Sequence, residues 1–526
     1  LQKGQGEKRF TYLLAILVAI FAVIHFIINV FLGMHIDEAN WWLASKHLSA
    51  GYFFHPPFIA FELAFLMKLF GESPAALRVG SLVFVCASLP LFYYLSLEFF
   101  GNRKRASYST LIFSLLPITN YWLLIANQDA PFIFFWLLTV LLAWRAVRGE
   151  RRRYWYLAGL TSGLLMLCKL QGALFFLGLL IFLATRQEGR VWLKRKEPYL
   201  AFLIVVLMFI PTLIWYAQHD FQPIIYQLSN RPGFVKHGLF DYILKIIKHV
   251  GWEMAVLTPF VYLLSLFGVI YHGCLGFKKR EEVSLYFFWL SATVIVFFTI
   301  TGGPPYWSFP GHVVSLLAAG ASLSALMEKA RSRLLARWWK PAAVVLLMVI
   351  PLLASTYVLG FALNRSQLHV GWEEIADEVY RVRQEMESPE VYLAGPYHFL
   401  VNGIAYHLKE RVDGYTLLFR VYETENFGVD TTYDPWVYVG DLVGKDLVFV
   451  DEEDNPDDYF TPSSYWEEKL PPYFERVEGP ELFRVMRGGE VFRTFYIFKC
   501  YGFKETDENM DKRGDIRDYL ERSGQD

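Results

Sequence analysis

Residues 1–363 of this 526-residue chain hold only 16 Asp and Glu against 32 Lys and Arg, so the position of each carboxylate is informative. Asp37 and Glu38 follow directly on an apolar stretch, Phe10 to Leu32, and Asp129 stands in the short polar link Asn127-Gln128-Asp129 between two apolar runs. An ionisable group at a bilayer edge is costly unless it is paired or wet, which makes these three candidates for function. The plainer alternative for Asp37 and Glu38 is that they cap a helix at the interface. Asp37, Glu38, Asp129, His35 and His55 are also of metal-ligating types, but no spacing among them is diagnostic of a metal. No metal or other cofactor is assigned, and a divalent ion is left open. The four cysteines show no metal-type spacing either, and Cys500 alone lies in the acidic tail, so no disulfide is expected within it.

The elements that would position these groups are membrane helices. The chain is 54% hydrophobic and 18% aromatic, with a mean hydropathy of +0.29. Apolar runs near spanning length fall at 10–32, 75–100, 107–125, 131–147, 199–217, 251–273, 283–301, 306–327 and 341–363. The first is too long for a signal-peptide core and reads as an anchor. Residues 154–185 form a further apolar run of 32 residues, interrupted by Lys169, Gln171 and Gly172. As one helix it would measure about 48 Å against a hydrocarbon core of about 30 Å. Basic clusters flank both of its ends, so two short helices meeting near Lys169 are expected, for eleven spans in all.

Charge placement supports that count. With the N-terminus inside, 24 of the 32 basic residues before residue 364 fall on inside loops, as the positive-inside rule requires. An odd number of spans then puts residues 364–526 outside. That tail carries 35 Asp and Glu against 18 Lys and Arg, so the total charge of −1 hides a basic membrane part and an acidic soluble part. The expected protein is a multi-pass α-helical protein of the cytoplasmic (inner) membrane, with a cytoplasmic N-terminus, a membrane domain over 1–363 and an extracytoplasmic α/β domain over 364–526. The long first outer loop, 33–74, contains two amphipathic stretches, Glu38–Ala50 and Phe58–Phe70, suited to lying in the interface. In the tail, helical patterns cover Trp372–Met386 and Tyr397–Leu408. Strands are expected at Val391–Ala394, Leu447–Val450, Phe474–Val477, Leu482–Val485 and Val491–Phe498.

Taken in order, several short motifs resemble one family. His35-Ile36-Asp37-Glu38-Ala39-Asn40 and His55-Pro56-Pro57-Phe58 come first, followed by Gln128-Asp129-Ala130-Pro131 and Gly163 through Lys169. Tyr226-Gln227-Leu228, Asn230-Arg231-Pro232-Gly233-Phe234 and Pro305-Tyr306-Trp307-Ser308-Phe309-Pro310-Gly311 follow, with Ala405-Tyr406-His407-Leu408 and Tyr433-Asp434-Pro435-Trp436 in the tail. The series is similar to GT-C glycosyltransferases of the protein O-mannosyltransferase and aminoarabinose lipid A transferase kind, in their bacterial branch. The resemblance implies a membrane-embedded enzyme that takes a sugar from a polyprenyl-phosphate donor.

The leaving phosphate would be held by cations, with Lys169, Arg231 and His55 in that role. Asp37 would be the general base on an acceptor hydroxyl, with inversion at the anomeric carbon. Were the acceptor a phosphate, no base would be needed and Asp37 would orient it. Glu38 accompanies Asp37, and Asp129 would hold the loop or the acceptor in register. Tyr52, Tyr306 and Trp307 would stack on sugar or isoprenoid, although aromatic belts also occupy such positions. Lys169 could equally be a snorkelling residue closing a hairpin, Arg231 a solvated loop charge and His55 a helix-end cap.

The expected acceptor is a membrane glycolipid such as lipid A or LPS core; transfer to Ser/Thr of a protein is the alternative. A lipid or sugar transporter is the rival of another class, but no internal repeat is visible and the charges crowd one membrane edge. A scaffold without catalysis would have no use for the acidic and cationic set. Nothing in the sequence points to a nucleic-acid partner.

Overall fold

The computed structural model describes residues 2–149, 151–219, 221, 223–225, 239–323, 342, 345–364, 369–396, 398–409, 418–422, 428–429, 442–453 and 463–504. The chain divides into two compact units: one of residues 1–31 and 54–360, the other of 32–53 and 361–526. The segment after the first helix thus groups with the C-terminal tail.

The first unit is helical throughout its described residues. Its elements are α1 (Gln2–Phe31), then, after the α2 segment of the other unit, α3 (Phe58–Phe70), α4 (Pro74–Leu77), α5 (Val79–Phe100), α6 (Arg103–Leu115) and α7 (Asp129–Val147). They continue as α8 (Arg153–Cys168), α9 (Ala173–Thr185), α10 (Gln187–Leu193), α11 (Lys196–Gln218), α12 (Leu239–Leu257), α13 (Pro259–Lys279), α14 (Glu282–Thr301), α15 (Phe309–Leu317) and α16 (Ile350–Asn364). Among the described residues seven helices are long and apolar enough to cross a membrane: Tyr12–Phe31, Pro74–Phe100, Asp129–Val147, Lys196–Gln218, Pro259–Lys279, Glu282–Thr301 and Val345–Leu363. Their outward faces are apolar, as lipid contact requires; α11 exposes Phe202, Leu203, Leu207 and Ile214.

The apolar run at 154–185 forms two short helices, α8 and α9, joined by a 3₁₀ turn at Leu170–Gly172 with Lys169 extended at φ −160°, ψ 134°. Helix α8 sits close to its neighbours because it carries glycines where backbone approaches. A Cβ at Gly159 would stand 2.6 Å from the Ala201 carbonyl oxygen of α11. On another face Thr139 of α7 donates to the Thr161 hydroxyl at 2.9 Å. Helix α3 lies where an amphipathic helix is expected, burying Ile59, Ala60, Leu63 and Leu66 and leaving Phe61, Phe65 and Leu69 exposed.

Two expected single spans are broken, both at proline. The run 107–125 ends its helix at Leu115, and Ile118–Trp122 follows as a separate π turn. Leu116 is extended (ψ 142°) because the Pro117 ring disfavours helical geometry in the residue before it. The run 251–273 divides between α12 and α13 at Thr258, whose φ of 68° precedes Pro259. Of the run 306–327, residues 324–327 lie outside the described residues.

The second unit contains α2 (Ile36–Lys46), α17 (Trp372–Glu385), α18 (His398–Leu408) and α19 (Ser463–Lys469) with a six-stranded sheet. Its strands are β1 (Val391–Gly395), β2 (Leu418–Tyr422), β3 (Gly428–Val429), β4 (Asp446–Glu452), β5 (Phe474–Arg487) and β6 (Glu490–Phe503), in the order β3-β2-β1-β4-β6-β5. β1 runs parallel to both β2 and β4, and β6 runs antiparallel to β4 and β5. The two short strands expected at Phe474–Val477 and Leu482–Val485 are one long strand. A register shift between Glu478 and Glu481 absorbs Gly479-Pro480, and the ladder resumes beyond it. The β5–β6 hairpin closes at Gly488-Gly489, both at positive φ (60° and 87°), the geometry that a two-residue turn of matching twist needs. Phe449, Trp466, Phe474 and Phe498 form the core on one side of the sheet. Cys500 is buried there, and all four cysteines are free.

The packing of α8 predicts a contrast between two glycines. Gly159→Val forces a side chain against backbone and should destabilise the bundle by about 1–3 kcal/mol. Gly360→Ala meets nothing within 4 Å on its helix and should be neutral or stabilising by up to about 1 kcal/mol. Melting temperatures of the two detergent-solubilised variants should therefore move in opposite directions or only the first should fall.

Candidate functional site

In the first unit the helix break at Lys169 and the link before α7 bring opposite charges together. Lys169 Nζ lies 2.7 Å from Asp129 Oδ1, with the two side chains only 3% and 7% exposed. The second carboxylate oxygen, Oδ2, accepts from Trp122 Nε1 at 2.9 Å. The link itself is braced: the Asp129 amide donates to Asn127 Oδ1 at 2.9 Å, and Asn127 Nδ2 donates to the Trp122 carbonyl at 3.2 Å. Asp129 opens α7, where a negative charge also meets the positive end of the helix dipole.

Aromatic rings close over the lysine. Nζ lies 5.2 Å from the Tyr306 ring centre and 5.6 Å from that of Trp307. Tyr306 in turn lies 4.3 Å from Trp122, ring centre to ring centre. Gln171 Nε2 donates to the Trp307 carbonyl at 3.3 Å, tying the 3₁₀ turn after Lys169 to the turn that carries the aromatics. Tyr306 and Trp307 therefore serve a cation as well as any bilayer interface.

His55 is part of the same unit: its Nε2 accepts from Gln128 Nε2 at 2.9 Å, one residue from Asp129. Burial, together with the positive charge of Lys169, holds this imidazole well below its ordinary range. His55 is thus neutral at pH 7, a polar contact beside the charge that Lys169 supplies. Burial pushes the Glu62 carboxyl of α3 up to about 8, so it too is uncharged at neutral pH. Arg231, the remaining expected cation, lies outside the described residues, as do Tyr226–Leu228 and Tyr433–Trp436.

The other acidic candidates belong to the second unit, where they have different surroundings from each other. His35 is the N-cap of α2: its Nδ1 accepts from the Asp37 amide at 3.1 Å, and its own amide donates to Glu38 Oε2 at 2.8 Å. Glu38 is fully buried in this capping box, where it holds the start of α2. Asp37 keeps 28% of its side chain exposed, with Oδ2 3.7 Å from His35 Nδ1. Tyr52 is also a structural residue. Its hydroxyl shares its one proton between the carbonyls of Ala44 and His47 and accepts from the Ser49 amide, each at 3.0 Å, closing the loop after α2. Burial pushes that phenol up to about 12. Its ring is 7% exposed and stands edge-on to Trp41, which leaves no free face for a sugar.

Within this unit α2 is held by the tail. Asn402 Nδ2 donates to Asn40 Oδ1 at 3.0 Å, Tyr406 packs edge-on against Trp42 at 5.3 Å, and His369 Nδ1 donates to the Gly33 carbonyl at 2.9 Å. Among the described residues no three His, Cys, Asp or Glu side chains are arranged to hold a metal ion. Sequence reading missed Trp122 and Asn127 as braces of Asp129; an indole in an apolar run and an amide in the polar link carry no signal of that role.

Comparison with known proteins places this architecture. The dolichyl-phosphate-mannose-protein mannosyltransferase family matches residues 54–215, the segment that contains His55, Asp129 and Lys169. The chain is 21% identical over 290 residues to the lipid A galacturonosyltransferase RgtD of Rhizobium johnstonii, covering 54% of this chain and 59% of that protein's length. Its structure is similar to that of ArnT from Cupriavidus metallidurans, determined with undecaprenyl phosphate bound: TM-score 0.62, 16% identity, 93% of this chain and 98% of that one. It is also similar to the oligosaccharyltransferase of Archaeoglobus fulgidus: TM-score 0.55, 12% identity, 95% of this chain and 75% of that one. The fold is that of the GT-C glycosyltransferases of the ArnT and protein-mannosyltransferase type.

The buried pair predicts strong coupling between its members. Lys169→Met strands a buried carboxylate and should cost about 3–5 kcal/mol, whereas Asp129→Asn combined with Lys169→Met should cost less than the single change. Thermal melting of the three variants in detergent measures this; equal and additive losses would show two independent residues.

Proposed function

From the GT-C fold as premise, we propose that the chain is an integral-membrane glycosyltransferase that moves a sugar from a polyprenyl phosphate to an envelope glycolipid such as lipid A or LPS core. The observation that carries this reading is Lys169, a cation buried under two aromatic rings and paired with the Asp129 carboxylate. A lipid phosphate leaving from a sugar needs such a charge in a place short of water, where electrostatic stabilisation is strongest. The match to a lipid A galacturonosyltransferase and the likeness to a protein determined with undecaprenyl phosphate support the donor and acceptor classes.

In the reaction the acceptor hydroxyl oxygen attacks the anomeric carbon as the bond from that carbon to the phosphate oxygen breaks. The bonding electrons leave with the phosphate, whose added charge Lys169 balances, and the acceptor proton passes to Asp37. Asp129 holds Lys169 in place between turnovers and keeps its ammonium aimed by a charge-assisted hydrogen bond. Tyr306 and Trp307 bound the cation with apolar faces, which keep water from the phosphate. Arg231 is a second cation for the same phosphate. The site would face the outer side of the cytoplasmic membrane, in an eleven-span topology with the tail outside.

The description of the matching family names a protein as acceptor, which favours the second reading, transfer to Ser/Thr of a protein. Incubating the purified protein with radiolabelled polyprenyl-phosphate sugars and a membrane extract separates the two, with label expected in the glycolipid fraction rather than in protein. In that assay Asp37→Asn should lower turnover by about 10²–10⁴-fold with donor binding retained, as for a lost general base. Glu38→Gln should act chiefly on stability, by about 1 kcal/mol for a weakened cap. Turnover of Asp37→Asn close to that of the unaltered protein would overturn the assignment of the base.

A further inference from the structure

Beneath the turn that carries Tyr306 and Trp307 lies a buried polar cluster that the reaction above does not use. The turn begins with Gly302 and Gly303 at φ 77° and 125°, conformations that L side chains avoid. A Cβ at Gly303 would meet the Trp307 ring at 2.8 Å, so the indole packs directly on the glycine backbone. From α12, His249 Nδ1 bonds the Gly303 carbonyl at 3.1 Å. Its Nε2 faces Glu253 Oε1, one helical turn on, at 3.3 Å. The same oxygen lies 3.8 Å from His312 Nε2 of α15, whose Nδ1 shares a hydrogen bond with Ser265 Oγ of α13 at 2.8 Å. Glu253 and His312 are fully buried, and His249 is nearly so.

A carbonyl only accepts, so His249 Nδ1 carries a proton. On the other side of the ring the Glu253 carboxylate stands 3.3 Å from Nε2. A carboxylate behind an imidazole fixes which nitrogen donates and how the ring is turned. The ring's other nitrogen is then committed to Gly303.

We propose that His249 is a positioning residue for the lipid-phosphate site. Glu253 fixes its ring, the ring grips the Gly303 carbonyl, and that grip sets the Gly302–Trp307 turn and hence the aromatic faces over Lys169. The role rests on the reading of Lys169 as the phosphate cation.

Two substitutions divide the ring's two contacts. In His249→Asn the amide nitrogen reaches the place of Nδ1 and keeps the bond to Gly303; in His249→Gln it reaches the place of Nε2 and keeps only the contact with Glu253. Hydrogen exchange at the amides of Gly303 through Trp307, in the intact protein, should rise in His249→Gln and stay near the unaltered level in His249→Asn. The apparent affinity for undecaprenyl phosphate should fall about 10- to 100-fold in His249→Gln, the scale of a misplaced binding group, and by much less in His249→Asn. Should His249→Gln fail to fold, Glu253→Gln leaves His249 in place without its partner and gives the same two readouts. Equal exchange in the two His249 variants, or a loosened turn with unchanged affinity, overturns the positioning role. Absence of saturable undecaprenyl-phosphate binding by the unaltered protein overturns the reading of Lys169 instead, while the exchange data still decide whether His249 anchors the turn.

Discussion

Lysine and aspartate at 2.7 Å, both almost wholly out of water, bind the local architecture of the membrane unit to its chemistry. Taking either charge out of water alone costs several kcal/mol, so each is tolerable there only beside the other. That requirement explains features that would otherwise be unrelated. The helix over 154–185 must break so that Lys169 can leave the helical path, and the link before α7 must be braced so that Asp129 can meet it. Trp122 supplies the hydrogen bond that the second carboxylate oxygen needs. The aromatic turn then covers what remains of the ammonium.

A pair of this kind also suits a site that must accept an anion and release it. With the Asp129 carboxylate beside it, the ammonium is oriented before any phosphate binds, and a phosphate arriving adds negative charge to a cation already in place. Lysine, a compact point charge, can shift between two anions by small side-chain rotations. His55, kept neutral by burial and by the same lysine, adds polarity without a second charge. The site therefore concentrates its positive charge on one described residue, and the effect of removing it should be correspondingly large.

Much of this was legible in the sequence, for reasons that particular residues make clear. An apolar run too long for one span, interrupted by a lysine and flanked by arginines, could only be two helices turning at that lysine; α8 and α9 do so. Two amphipathic stretches in the first outer loop are α2 and α3, because a helical period on a short apolar segment leaves few other structures. Proline effects were less legible: Pro117 and Pro259 each divide a run that composition alone reads as continuous. In the tail, β2 and β3 carried too little alternation to stand out, and a register shift joined two expected strands into one. At the level of the site, adjacent carboxylates looked alike as sequence. The capping box distinguishes them, since it buries Glu38 against the His35 amide and leaves Asp37 partly exposed. Tyr52, a plausible sugar platform by type, is spent on three loop hydrogen bonds.

The claim on which the functional reading stands is that Lys169 binds a lipid phosphate. Binding of undecaprenyl phosphate to the intact detergent-solubilised protein, titrated by native mass spectrometry, tests it directly when Lys169→Met/Asp129→Asn, a variant that removes the charge without stranding its partner, is titrated beside the unaltered chain. The account predicts saturable one-to-one binding by the unaltered protein and a loss of about 100-fold or more in the variant, the scale of removing one preorganised charge contact. Equal affinity in the two proteins would contradict it, and would leave Lys169 as no more than the residue that closes a hairpin.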